Sequence, residues 1–278
     1  MNNFYDVWFS YIDLSNNIKL KLLEKYSTKE IFDLSFECNK KIEDKILNSK
    51  KLNLEKYFNY LEKYNIKVIS FKDERYPGVL NNIENKPAFL YIRGSLENLY
   101  SDNVAIVGSR NASEYGKNVA RKISKELADK NINIVSGLAL GIDKYAHLGA
   151  LDSRLGKTIA VLGTGVSDYE VYPFQNKKIF ERILENDGTI ISELRLGTKP
   201  EKYNFPLRNR IISGISKKVI VVEATQNSGS LITANYALDQ GKDIYAVPGN
   251  ITSKNSVGTN KLIEEGAYIF KSIQDIFY

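Results

Sequence analysis

The chain has little of what several kinds of chemistry require. Its 278 residues contain one cysteine, Cys38, and one histidine, His147. A single cysteine excludes an intrachain disulfide and fits a reducing compartment. One cysteine with one histidine leaves no basis for a zinc site built on those ligands. No apolar run approaches the ~20 residues needed to span a bilayer. The segment MNNFYDVWFSYIDLSNNIKL lacks a basic stretch followed by an apolar core, so no signal peptide is expected. These absences predict a soluble, cytoplasmic protein without membrane contact. The length suits one or two domains with a core that needs no staples.

Nucleotide and nucleophile motifs are missing as well. Gly149–Thr158 ends like a phosphate-binding loop, but its spacer is two residues too long and it runs from helix to strand. Gly163-Thr164-Gly165 lacks the third glycine of GxGxxG, and no acidic residue follows the next strand where a ribose would need it. Ser228-Gly229-Ser230 has no general-base histidine to work with. His147 lies in the helical stretch Asp143–Ala150 and reads as packing. Asp143, Glu193 and Glu223 are isolated carboxylates, expected to orient backbone or basic groups. Neither ATP hydrolysis nor hydride transfer is expected, and no catalytic residue, cofactor or metal is assigned.

What the chain does have is positive charge gathered in one place. The net charge is +6. Between Arg195 and Lys218 stand seven basic residues against one acid, Glu201. Within that window Phe205-Pro206-Leu207-Arg208-Asn209-Arg210-Ile211-Ile212-Ser213-Gly214 places two arginines and an asparagine between an aromatic-proline corner and an apolar run. Such side chains hold phosphate, and the window reads as a basic loop on a polyanion-binding face. Tyr172-Pro173-Phe174 and Tyr203-Asn204-Phe205 set aromatics beside Lys177, Lys178, Lys202 and Arg208. Interleaved aromatic and basic residues suit single strands, whose exposed bases stack.

The pattern along the chain supplies a frame for that face. Residues 1–65 read as a small helical domain, with apolar residues at helical spacing (Ile18, Leu22, Leu23, Tyr26; Leu54, Tyr57, Phe58, Leu61) and a helix start at Ser27 with Glu30. Residues 66–278 read as a second domain. From Asp102 onward short apolar strands alternate with helices, predicting an α/β fold with a doubly wound, mostly parallel sheet. The strands end in Gly108-Ser109-Arg110, Ser136-Gly137, Gly163-Thr164-Gly165 and Pro248-Gly249. Glycines there let backbone approach a phosphate, and the following helices aim their amides at it. Ser228 is expected to cap such a helix with Gly229 behind it.

Taken in order, these motifs resemble the DNA-processing protein A (DprA/Smf) family. The matching segments include Val104–Arg110, Ser136–Asp143, Leu162–Gly165, Ser192-Glu193, Phe205–Gly214, Val222–Ala224, Ser228–Ala234, Ala246–Gly249 and Gly258–Asn260, and they cover roughly residues 66–270. The resemblance implies an extended Rossmann-like domain that binds single-stranded DNA, forms a homodimer and loads RecA recombinase onto strands taken up in natural transformation, without catalysis. It places the DNA-binding arginine at Arg110, with Lys177, Lys202 and Arg208 as further basic contacts. The expected strand-binding set is Gly108, Ser109, Arg110, Gly137, Gly163, Gly165, Phe174, Lys177, Lys202, Phe205, Arg208, Asn209, Arg210, Ser228 and Gly229. Leu262 and Ile263 are candidate contacts for a second copy or the recombinase, and could equally be core residues. Many family members carry a C-terminal winged-helix module, which is expected to be absent from this sequence. Two other readings use the same glycine cleft: a nucleotide-binding enzyme of the lysine-decarboxylase-like (phosphoribohydrolase) group, and a signalling-nucleotide sensor. The turn Glu223–Ser230 lacks the PGGxGTxxE pattern of the former.

Overall fold

The computed structural model describes residues 2–277. Alternation of side chains decides how its strands are buried. In Asn103–Val107, Val104 and Ile106 join one apolar cluster, while Ala105 and Val107 join another on the opposite face. Both faces are covered, as a parallel sheet requires.

Nine strands form a single sheet: β1 (Lys67–Ser70), β2 (Phe89–Gly94), β3 (Asn103–Val107), β4 (Asn133–Ser136), β5 (Thr158–Val161), β6 (Thr189–Ser192), β7 (Lys218–Val221), β8 (Asp243–Ala246) and β9 (Tyr268–Ile269). Their spatial order is β1-β2-β6-β5-β4-β3-β7-β8-β9. β1 and β2 are antiparallel to each other, β2 is antiparallel to β6, and every pair from β6 to β9 is parallel. The expected doubly wound sheet is therefore present, extended at one edge by the antiparallel pair. Strand order reverses between β3 and β7, which pair with Ala105 opposite Val219. That reversal opens a crevice at the carboxyl ends of the two strands.

Helices α6 (Glu114–Ala128), α7 (Ile142–Leu151) and α8 (Lys177–Glu185) cover one face. Helices α9 (Asn204–Gly214), α10 (Gly229–Asp239) and α11 (Val257–Glu264) cover the other. Before β1 come α1 (Phe4–Tyr11), α2 (Asn16–Lys25), α3 (Thr28–Asp33), α4 (Lys40–Lys50) and α5 (Glu55–Lys63). The capping box foreseen at Ser27 and Glu30 opens α3. Val7, Trp8 and Phe9 of α1 share one buried cluster with Val68, Phe89 and Tyr91 of the antiparallel strands. Polar contacts reinforce this seam: the Tyr91 hydroxyl donates to Ser10 Oγ at 2.7 Å, and the Asn2 side chain bonds Ile66 O and Val68 N.

One sequence expectation is corrected here. The basic window does not stay a loop. From Asn204 it is helix α9, with Pro206 in the first turn, where a missing N–H costs no internal bond. The apolar run Ile211-Ile212 is that helix's buried face. Of the two readings of Leu262 and Ile263, the core one describes Leu262, which is buried in the sheet's core cluster, while Ile263 packs against it partly buried. Among the described residues no helix is long and apolar enough to cross a membrane.

Candidate functional site

The crevice between β3 and β7 holds a cleft of about 410 Å³. Three pieces of chain build it. Gly108-Ser109-Arg110 leaves the end of β3, the turn at Thr225 and the start of α10 lie beyond β7, and α9 forms the remaining wall with Phe205, Arg208 and Asn209. Ser228 caps α10 through its side chain, so the positive end of that helix dipole opens on the cleft. Asn209 Nδ2 donates to Gly229 O at 3.2 Å and ties the two walls together.

Arg208 lies at the floor and is 4% exposed. Its Nη1 donates to Gly137 O, in the turn after β4, and to Val161 O, at the end of β5, while Nε has no partner. No carboxylate lies within ion-pair distance of it among the described residues. Burial lowers its pKa to about 10, the charge of Asp143 opposing the shift, so the guanidinium stays protonated at neutral pH. Asp143 is itself buried and its pKa is raised, chiefly by desolvation. It accepts from Gly137 N at 3.1 Å and holds the turn that Arg208 grips. Beneath that turn His147 is fully buried. Thr158 donates its hydroxyl to Ile134 O, so His147 Nδ1 donates to Thr158 Oγ1 (2.7 Å) and Nε2 accepts from Leu138 N (3.3 Å). Burial pushes its pKa down to about 3, and it stays neutral.

Arg110 stands at the mouth, exposed, with no ion-pair partner among the described residues. Its guanidinium lies 5.7 Å from the centre of the Phe205 ring, and Phe205 packs at 5.4 Å against Tyr172. The mouth thus offers one free cation and one half-buried aromatic face to whatever enters.

The structure brings eight of the expected residues to this cleft: Gly108, Ser109, Arg110, Phe205, Arg208, Asn209, Ser228 and Gly229. Others are placed differently. A Cβ on Gly137 would sit 2.5 Å from the Arg208 guanidinium, and one on Gly163 would sit 2.8 Å from the Phe205 ring. Those two glycines make room for side chains, not for phosphate. Gly165 likewise clears the Glu170 carboxylate. Gly229 has open space where its Cβ would be. Phe174 is 73% exposed outside the cleft, with Lys177 Nζ 5.9 Å from its ring, and Lys202 is exposed nearby in sequence to α9. Arg210 points away. It is 3% exposed, bonds both oxygens of Glu193 at 2.6 Å, and donates to Asn85 O. Its charge is already balanced, so it is not a phosphate ligand.

The isolated carboxylates orient their neighbours, as expected. Glu193 holds Arg210, Asp143 holds the Gly137 turn, and Glu223 accepts from Ser113 N at 2.9 Å at the start of α6. Sequence reading missed the hydroxyls of Thr225, Ser230 and Thr233 in the cleft wall. Ser230 and Thr233 are three residues apart on α10, the spacing that puts both on one helix face.

A family model described as DNA recombination-mediator protein A matches residues 67–278. The chain belongs to that family. It is 43% identical over 229 residues to DNA processing protein DprA of Streptococcus pneumoniae, covering 80% of this chain and 79% of that one. It is 40% identical over 232 residues to Protein Smf of Escherichia coli, covering 84% of this chain, and it spans only 61% of Smf's length. The X-ray structure of the S. pneumoniae protein superposes with a TM-score of 0.83 at 36% identity, covering 100% of this chain and 98% of that one. A structure of DNA processing protein A from Helicobacter pylori, whose subject is its single-stranded DNA binding mode, superposes with a TM-score of 0.67 at 30% identity over 75% of this chain and 93% of that one. The S. pneumoniae structure matches through α1–α5 as well as the sheet, whereas the family model begins at residue 67.

Proposed function

We propose that this chain is a non-enzymatic mediator of recombination. It binds single-stranded DNA in the β3–β7 cleft and delivers the strand to a RecA recombinase during natural transformation. The observation that carries the reading is the pair of cations without carboxylate partners, Arg208 at the floor and Arg110 at the mouth, beside the exposed start of α10. A buried guanidinium whose nearest charge, Asp143, stays beyond ion-pair distance is costly to hold, and a phosphate supplies a direct partner. Phe205 beside Arg110 gives a base a surface to stack on, which a duplex does not present. The H. pylori relative, studied for its single-stranded DNA binding, supports the same ligand. Homodimer formation belongs to this reading, with the half-exposed edge strand β9 (Tyr268 and Ile269) available to a second copy. Gly108, Ser109, Asn209, Ser228 and Gly229 line the phosphate path, and Phe174, Lys177 and Lys202 extend it past the cleft.

Fluorescence anisotropy with labelled single- and double-stranded oligonucleotides across a salt series tests this. Single strands should bind more tightly, with a log–log salt slope of about −0.7 for each phosphate neutralised. Arg110→Ala should weaken binding about tenfold or more, the scale of a charged hydrogen bond, and leave the fold intact. Equal affinity for duplex, or binding unchanged in Arg110→Ala at matched salt, overturns the reading. Release of free base from a nucleotide would favour the phosphoribohydrolase alternative instead.

A further inference from the structure

A second cavity, of about 170 Å³, lies at the seam between the helical segment and the sheet and shares no lining residue with this cleft. Its walls come from the end of α1 and the start of α2, from β2 at Phe89, and from the loop after β6 at Glu193–Arg195 and Thr198. Two cations, Lys19 and Arg195, line it. Lys19 Nζ donates to Ser10 O at 2.6 Å, and Arg195 donates to Tyr11 O at 2.6 Å while lying 4.4 Å over the Tyr11 ring. Both caps fall on carbonyls in the last turn of α1, which has no basic residue of its own there. That is a sound structural use, because cations suit a helix C-terminus. It does not use up the donors: an ammonium has three N–H groups and a guanidinium five.

The charge around the cavity is unbalanced. Its two carboxylates are each matched elsewhere. Asp13 pairs with Lys45 at 3.1 Å and its side chain is 89% exposed, and Glu193 gives both oxygens to Arg210. Lys19 and Arg195 have no carboxylate within ion-pair distance among the described residues. Burial, with Arg195 alongside and the Asp13 carboxylate opposing, lowers the Lys19 pKa to about 7. A cavity of this size is below the roughly 300–1,000 Å³ of drug-sized ligand pockets. It is several times the ~30 Å³ share of one water. It has room for a small ion.

We propose that the seam cavity binds a small tetrahedral oxyanion of the phosphate class, held between Lys19 and Arg195. The ion supplies the missing countercharge and clamps the helical segment to the loop after β6. This inference does not depend on strand binding in the β3–β7 cleft.

Calorimetric titration of the full chain with sulfate and with inorganic phosphate, at low ionic strength, tests it. Lys19→Met should weaken one saturable uptake event about tenfold or more, while any uptake in the β3–β7 cleft persists in that variant. Sulfate keeps its charge near neutrality, so its affinity should fall about tenfold between about pH 6 and pH 8 as Lys19 loses its proton. Uptake lost in Arg110→Ala and kept in Lys19→Met places the ion in the other cleft and overturns the proposal, as does the absence of saturable uptake. Should Lys19→Met not fold, selenate soaked into wild-type crystals decides: anomalous density between Lys19 and Arg195 upholds the site, and density only elsewhere sinks it. Oligonucleotides with and without a 5′-phosphate identify the source. An affinity gain from the 5′-phosphate that Lys19→Met abolishes assigns a strand end, and no gain beside sulfate uptake assigns a free ion.

Discussion

The two sides of α9 carry the same residue type to opposite ends. Arg208 turns toward the cleft, nearly buried, gripping two backbone carbonyls and meeting no carboxylate within ion-pair distance. Arg210, on the same helix, turns to the other side and gives its guanidinium to Glu193. The lesson is that a cluster of arginines in sequence is not yet a ligand site. What matters is which of them still lacks a counter-ion after folding. Arg210 is satisfied within the chain and holds structure. Arg208 and Arg110 are left for something from outside.

Exchanging each arginine for methionine tests this contrast most strongly. Arg210→Met strands the Glu193 carboxylate in a largely buried site, and breaking such a pair costs about 3–5 kcal/mol. Urea denaturation should show that loss, while strand affinity per folded molecule stays near wild type. Arg208→Met should do the reverse: a smaller stability loss, and strand affinity reduced about tenfold or more. If both variants lose stability equally and neither changes affinity, the two sides of α9 do not differ in function.

The floor beneath Arg208 can be probed by acid. His147 has a folded pKa lowered to about 3 from an ordinary 6.5. Above pH 6.5 neither folded nor unfolded chain protonates it, so it adds no pH dependence there. As pH falls below 6.5 the unfolded chain takes a proton that the folded chain refuses, and stability drops. The slope approaches about 1.4 kcal/mol per pH unit, or roughly 2 kcal/mol by about pH 5. A His147→Gln variant keeps an acceptor for Leu138 N and should lack this part of the acid limb. Stability curves against pH for the two proteins should therefore converge on acidification. Parallel curves would mean that the Gly137–Leu138 turn does not rest on a neutral histidine.

Much of this was legible in the sequence, for identifiable reasons. Short apolar strands alternating with helices leave a strong local pattern, so the doubly wound sheet and its glycine-rich strand ends were readable. Local chemistry also fixed the Ser27–Glu30 box and the Ser228 cap. The burial of Arg208 and Arg210 was not readable, because it depends on Glu193, Gly137 and Val161, which reach α9 only through the tertiary fold. Reading the window as a loop failed for a related reason: Pro206 looks like a break, but in a first helical turn it is tolerated. Gly137 and Gly163 show the same limit. Sequence showed that glycine was wanted, and only packing showed that the neighbours are a guanidinium and an aromatic ring.

The smallest expected effect separates two aromatics that sequence could not rank. Phe205 sits at the cleft mouth against Arg110 and Tyr172. Phe174 is far more exposed, with Lys177 Nζ 5.9 Å from its ring. A base entering beside Arg110 reaches Phe205 with its phosphate already held, so stacking there adds to an existing contact. Phe205→Leu should therefore weaken single-strand binding by about 1 kcal/mol, roughly fivefold, at the low end of stacking energies. Phe174→Leu should change binding of short oligonucleotides by less than about twofold, and more only when the strand is long enough to leave the cleft. Anisotropy with a length series of oligonucleotides measures both. A Phe174→Leu effect as large as that of Phe205→Leu on the shortest strands would move the stacking surface out of the cleft, and the path of the strand would have to be redrawn along the outer aromatics.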